Sequence, residues 1–396
     1  MKLILIGGWG YGNVGDDVIL SSTVELLRQT FINPEISVVS YSEMLPNLGN
    51  VKYIKSLHAM MDFGEGVVMY NPIGKRNGFV GKIRSFLVRR IFKSYVFARF
   101  MAKIKKRKWS ECLDNYDCVF LCGGGYFNEH WLSCVAATIE MVNLAKKNSK
   151  KFAVLGTGFG KINIKELRSD VGGMLSGSSG VWVRDEYSEE EVKKFNVDCH
   201  VIPDVALTKC NSKININREK EIIVIANASS SASHSKIAEM IGCAATNNNL
   251  RVKFVLTRLW HADFSACVGL SEELSNKFGV DSSIHIPADH VVLEDILSKG
   301  LIVISENLHG LITAYRNGLP IVAFNFYDAD SPNGKKFRAF MNQIGRKNYV
   351  IGPDTSLDEG VKMIADSISQ IELFEENFIF CQKTNMQAKK FISEKV

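Results

Sequence analysis

The chain has 396 residues, of which 46% are apolar and 23% charged, and a formal net charge of +6. That length exceeds what one hydrophobic core usually supports, so two domains are expected, and the balance excludes disordered, collagen-like and membrane-spanning chains. Nine cysteines (Cys112, Cys118, Cys122, Cys134, Cys199, Cys210, Cys243, Cys267 and Cys381) make no CxxC pair and no regular framework. They read as reduced thiols of a cytoplasmic protein, not as a zinc site or disulfide scaffold.

The chain opens with an apolar run, Leu3–Ile6, stopped by glycines in GGWGYGNVGDDVIL. This run is too short for a secretion signal and suits a first buried strand, with helical spacing from Asp16 onward. Gly10, Gly12 and Gly15 match GxGxxG. A dinucleotide fingerprint is nevertheless disfavoured. Asp16 and Asp17 would occupy the first helical turn and repel a pyrophosphate there, and the next strand, Ile36–Tyr41, lacks an acid at the expected place. The loop, with Gly12 and Asn13, reads instead as backbone that can approach a ligand, with Asp16 or Asp17 aimed at hydroxyls. The competing reading is a tight turn with helix-capping acids.

From Gly66 to Ser110 there is no acidic residue among thirteen basic ones, and Phe79, Ile83, Phe86 and Leu87 fall at helical spacing among them. Residues 75–109 are therefore expected to form a basic amphipathic segment suited to an anionic membrane surface, or else a solvated basic face packed on its own domain. Nucleic acid is disfavoured, because no aromatic stacking platform accompanies the charge.

A second glycine loop follows the strand Tyr116–Cys122, which runs into GGGYFNEHW, where Gly124 and Gly125 open the backbone at the strand's carboxyl end. Phe152–Leu155 leads into GTGFG, and Val181–Val183 leads into Arg184, Asp185 and Glu186. A guanidinium at a strand end matches carboxylate or phosphate, unless Arg184 pairs with its acidic neighbours. Lys209–Glu221 is polar and breaks the pattern, which sets the domains at 1–210 and 220–396. Strands then recur at Ile222–Ala226, Val252–Leu256, Ile284–Ile286, Leu301–Ser305 and Pro320–Phe326, and the tail from Leu357 to Val396 is helical and could reach back across the first domain.

Leu301–Asp328 is the most informative stretch: strand, loop, helix from Gly310 to Asn317, a stop at Gly318, and strand again. Ser305, Glu306, Asn307 and His309 lie where ligands of open α/β sheets usually sit, although a lone histidine there can equally cap or pack. The fold class expected is α/β, with two Rossmann-like parallel-sheet domains facing a cleft, as in GT-B glycosyltransferases.

Five stretches resemble, in order, the motifs of the polysaccharide pyruvyl transferase family: GGWGYGNVGDDVIL, LCGGGYFNE, GTGFG, VWVRDEYSEEEVKKFNV with VIPDVAL, and SENLHGLITAYRNGLPIVAFNFYD. The resemblance implies transfer of pyruvate from phosphoenolpyruvate to a sugar as a cyclic ketal. The family's candidate acid falls on His309, and one of its anion-binding arginines on Arg184. Asn307 stands where the family has a second arginine, and Tyr327, Asp328, Ala329 and Asp330 replace its Tyr-Asp-Pro-Lys stretch. Arg316 or Lys335 could assist Arg184 in holding the donor. Asp16 or Asp17 could accept hydroxyl protons. The chemistry needs no metal and no cofactor beyond phosphoenolpyruvate as co-substrate. The expected acceptor is a sugar or lipid-linked oligosaccharide of a bacterial surface polysaccharide, met at the inner face of the plasma membrane. Two alternatives stay open: a nucleotide-sugar glycosyltransferase of the same architecture, and a carbohydrate-binding protein with a degenerate donor site.

Overall fold

The computed structural model describes residues 1–42, 45–61, 94–110, 116–148, 150–209, 218–228, 233–258, 261–328, 331–370 and 374–396. The chain forms two compact units. The first comprises Met1–Tyr11, Ile19–Val205 and Gln387–Val396, and the second Gly12–Val18 and Ala206–Met386. The division after Val205 precedes the linker expected at Lys209–Glu221, of which residues 210–217 lie outside the described set.

In the first unit seven strands, β1 (Lys2–Ile6), β2 (Glu35–Ser40), β3 (Val51–Lys55), β4 (Cys118–Cys122), β5 (Lys151–Thr157), β6 (Gly180–Val183) and β7 (His200–Val201), form one sheet. Their order is β3-β2-β1-β4-β5-β6-β7 and every pairing is parallel. The helices are α1 (Val14–Thr30), whose first turn belongs to the second unit, then α2 (Leu57–Met61), α3 (Tyr95–Ser110), α4 (Leu132–Lys147), α5 (Lys165–Leu175) and α6 (Glu186–Lys193). Helices cover a parallel sheet on both faces, so its strands need apolar side chains throughout. In β4, CVFLC, all five residues are buried.

The second unit repeats the plan with β8 (Glu221–Ile225), β9 (Arg251–Val255), β10 (Ser282–His285), β11 (Ile302–Ser305), β12 (Ile321–Phe324) and β13 (Val350–Ile351), in the order β10-β9-β8-β11-β12-β13. These pairings too are parallel. Its helices are α7 (His234–Asn248), α8 (His261–Phe278), α9 (His290–Lys299), α10 (Leu308–Arg316), α11 (Pro332–Gln343), α12 (Leu357–Ser369) and α13 (Phe374–Lys395), the last of which belongs to the first unit from Gln387 onward. In each sheet the strand order reverses beside its first strand, between β1 and β4 and between β8 and β11. Chain connections leave in opposite directions at that point and open a crevice beyond the carboxyl ends.

The expected strands are all present. The edge strands β3, β7 and β13 were not anticipated. Of the basic segment, residues 75–93 lie outside the described residues, including the apolar positions Phe79, Ile83, Phe86 and Leu87. Its remainder is α3, which packs against α2 and α4 in the core of the first unit.

Candidate active site

The second unit brings His309 and Asp16 together. His309 lies in the first turn of α10, and its Nδ1 stands 3.3 Å from Asp16 Oδ1, with the two side chains 13% and 21% exposed. Asn13 holds the carboxylate from the other side, its Nδ2 donating to Asp16 Oδ2 at 2.9 Å while its Oδ1 accepts from the Gly15 amide at 3.1 Å. The turn is anchored by the Val14 amide donating to the Thr257 carbonyl at 2.8 Å. Two glycines make this approach feasible. A Cβ on Gly15 would lie 2.8 Å from His309 Cβ, and Gly12 has φ +73°, where a side chain is strained. The loop read as an opening toward a ligand thus serves first to seat Asp16 against the histidine.

Asn307 is the N-cap of α10. Its Oδ1 accepts from the amides of His309 at 2.9 Å and Gly310 at 3.2 Å, and its Nδ2 donates to Thr257 Oγ1 at 3.1 Å. The side chain that replaces the family arginine therefore fixes the backbone of the histidine itself, a job asparagine does well.

Asp17 follows Asp16 in the first turn of α1. Burial, then the nearby carboxylates of Asp16 and Asp289, push its carboxyl up to about 8. It therefore keeps a proton at neutral pH and enters as a hydrogen-bond donor, whereas the sequence reading gave either aspartate the role of base.

Beside this pair lies a polar network that sequence reasoning missed. The Glu306 carboxylate accepts from the Asn227 amide at 2.8 Å, and Asn227 Nδ2 donates to the Glu306 carbonyl at 2.6 Å, a clasp across the β8/β11 crevice. Arg258 donates to Asn227 Oδ1 at 2.7 Å and to Asp263 Oδ1 at 3.0 Å, and its Nε is ion-paired with Asp263 Oδ2 at 2.9 Å. Arg258 also forms an isolated antiparallel bridge with Asn13 and is next in sequence to Thr257, the partner of Asn307. The signal was available: an arginine three residues past the end of β9, close to the strand-end position that singled out Arg184.

The other cations named from sequence have different surroundings. Arg316 is 2% exposed and donates to the Ala206 carbonyl at 3.0 Å and to the Glu294 carboxylate. Lys335 lies in the first turn of α11, behind the N-cap Ser331. Arg184, in the first unit, is 4% exposed and pairs with Asp204 at 3.0 Å and with Asp185 at 3.4 Å, so the pairing foreseen with a neighbouring acid exists. Its guanidinium lies across Gly158, where a Cβ would meet it at 2.9 Å. Gly124 and Gly125 are tied into loops of the same unit, their carbonyls accepting from the Gly158 amide and from Asn128 Nδ2, each at 2.8 Å.

The first unit also holds a chain unforeseen from sequence. The Tyr11 hydroxyl meets His58 Nδ1 at 2.6 Å, and His58 Nε2 meets Ser133 Oγ at 2.9 Å. Burial pushes the imidazole down to about 4, so it is neutral and passes a hydrogen bond from one side to the other. Among the described residues no group of three or more His, Cys, Asp or Glu side chains is placed to hold a metal ion.

The chain resembles UDP-GlcNAc 2-epimerase from Neisseria meningitidis, solved bound to UDP-GlcNAc, with a TM-score of 0.58 at 13% identity, covering 100% of this chain and 99% of that one. UDP-GlcNAc 2-epimerase from Methanocaldococcus jannaschii gives 0.57 at 12% identity, covering 99% and 100%. The lipopolysaccharide outer core galactosyltransferase WaaB in its apo form gives 0.51 at 13%, covering 99% and 100%. At such identities the likeness concerns the fold alone, two parallel-sheet α/β domains of GT-B type. No curated protein sequence matches the chain. The family model for polysaccharide pyruvyl transferase matches residues 13–326, from the asparagine that holds Asp16 to two residues past β12. The chain belongs to the polysaccharide pyruvyl transferase family.

Proposed function

We propose that this transferase moves the pyruvyl group of phosphoenolpyruvate onto two hydroxyls of a saccharide, forming a cyclic ketal and releasing phosphate. The observation that carries the reading is the His309–Asp16 pair, 3.3 Å apart at the carboxyl end of β11, in a member of this family. Asp16 faces Nδ1–H of the imidazolium and orients the ring, so Nε2–H is the acid that protonates the methylene carbon of the donor. The adjoining carbon becomes oxocarbenium-like. One sugar hydroxyl adds to it, the bond to the phosphate oxygen breaks with its electron pair, and the second hydroxyl closes the ring. Of the two hydroxyl protons released, one restores the histidine and the other leaves with phosphate.

Arg258 supplies the cation that Asn307 lacks. It is fixed by Asn227 and Asp263 next to the residue that holds Asn307, and a guanidinium so oriented suits a carboxylate or phosphate. Asp17, protonated at neutral pH, donates to a donor or acceptor oxygen. The acceptor in this reading is a sugar of a bacterial surface polysaccharide or its lipid-linked precursor, met on the cytoplasmic side of an anionic membrane. No described helix is long and apolar enough to cross one.

The test is incubation with phosphoenolpyruvate and a panel of lipid-linked and nucleotide-linked saccharides, read by mass spectrometry for the pyruvyl ketal and by released phosphate. His309→Gln is expected to lower turnover by about two to four orders of magnitude with the fold retained. A folded variant of near-normal turnover would remove His309 from the acid role. Thermal stabilisation by a nucleoside diphosphate and not by phosphoenolpyruvate would overturn the donor assignment in favour of a nucleotide sugar.

A further inference from the structure

Helix α3, YVFARFMAKIKKRKWS, carries no acidic residue. Its inner face is fixed: Tyr95, Ala98, Ala102 and Trp109 are buried in the core of the first unit, with Phe97 and Met101 packed against that core. The flanks are tied to the same unit by Arg99 to Asp170 at 2.9 Å and Lys106 to Glu140 at 3.1 Å. The opposite face is the anomaly. Val96, Phe100 and Ile104 are 62%, 57% and 54% exposed, one below another along the helix, with Lys103 and Arg107 exposed among them. Single exposed apolar residues are ordinary, but a row of three large ones, spaced i, i+4, i+8 on a helix already packed on its other side, has no role in the unit's own core.

Apolar side chains in a row with cations set beside them match a surface that is apolar below and anionic above. We propose that the outward face of α3, formed by Val96, Phe100, Lys103, Ile104 and Arg107, docks on the anionic headgroup layer of a lipid bilayer. Phe100 and Ile104 enter the headgroup boundary while the two cations stay with the phosphates. Charge decides between this and a second copy of the chain. A two-fold contact through this face would set cations against cations, with no acid on the helix to relieve them. Nucleic acid would leave the apolar row without a partner. For its purpose the inference rests on the lipid-linked acceptor proposed above, but docking is measured without catalysis.

The experiment is co-sedimentation of the full chain with vesicles of phosphatidylcholine alone or with about one third phosphatidylglycerol, at about 0.1 M and about 0.5 M salt. Binding is expected with the anionic vesicles only, and weaker at the higher salt. Lys103→Gln and Arg107→Gln should each weaken it about five-fold, the equivalent of ~1 kcal/mol per basic residue. Phe100→Asn with Ile104→Asn should weaken it about ten-fold or more. A matched loss of charge elsewhere, Lys52→Gln with Lys55→Gln on β3, should leave it unchanged. Equal recovery in every supernatant, or anionic binding untouched by the α3 substitutions, would overturn the proposal. So would a dimer seen by sedimentation equilibrium that Phe100→Asn abolishes. Vesicle binding without transfer from phosphoenolpyruvate would count against the reaction alone, and transfer to a lipid-linked saccharide without vesicle binding against the docking alone.

Discussion

Asp17 and Arg258 are the residues whose behaviour the structure changes most. The carboxyl of Asp17 is raised to about 8, far above its value in an unfolded chain, so the folded protein holds a proton there that the unfolded one releases. Stability from this site is fully present below about pH 4 and is lost as pH rises toward 8. Asp17→Asn should flatten that slope: between pH 5 and pH 9 its melting temperature should fall less than that of the native protein. Arg258→Gln should weaken phosphoenolpyruvate binding by about ten-fold or more, as expected of a lost charge-assisted contact, and isothermal titration would read it. Unchanged affinity would leave Arg258 a purely structural clasp on Asn227 and Asp263. His309 and Asp16 were both legible in the sequence, each beside a strand end. Their partnership was not, because no local pattern links residues from opposite ends of the chain. Asn307 was read through its missing arginine. Its work as N-cap was hidden because the helix was expected to begin at Gly310, two residues after its actual start at Leu308.

Among the elements, those with the longest apolar runs were legible: β1, β4, β5, β8, β11 and β12 come from uninterrupted buried stretches. The strands missed are the weakly patterned ones at sheet edges. In β3, VKYIK, only Ile54 is buried, while β7 and β13 have two residues each, too few for a period to register. The turn before α1 shows how tightly one element constrains another. Gly15→Ala would put a methyl 2.8 Å from His309 Cβ, a contact relieved only by moving the ring or the turn. Turnover is therefore expected to drop by about ten- to a hundred-fold, as for other misplacements near one ångström, while the melting temperature changes little. Normal turnover in that variant would show that the His309–Asp16 spacing has slack.

At the scale of the whole molecule, the sequence reading of two parallel-sheet domains holds, and the contacts add that neither unit is continuous in sequence. Residues Gln387–Val396 complete the first unit: Ala388 and Ile392 are fully buried, Phe391 is 4% exposed, and the Phe391 ring meets Trp182 edge-on at 6.1 Å. Removing the chain after Met386 takes away two large buried side chains and should cost the first unit about 4–10 kcal/mol, since each such loss costs about 2–5 kcal/mol. Urea denaturation followed by Trp182 fluorescence would measure it, and an unshifted midpoint would contradict the assignment of the tail to that core. The expectation that the helical tail reaches back to the first domain holds, but the surface that receives it was not legible, because helical spacing reports which face is apolar and not what that face packs against.

That same tail has a consequence for how the protein is made. Domains usually fold in the order in which they leave the ribosome, N-terminal first. Here the first unit waits for its last ten residues until Ala206–Met386 has been synthesised, about 10–40 s at about 5–20 residues per second. Throughout that interval the surface around Trp182 that receives Phe391 lacks its cover. The growing chain is thus a client for holding chaperones at a predictable place and for a predictable time, and slow codons late in the message would lengthen the exposure.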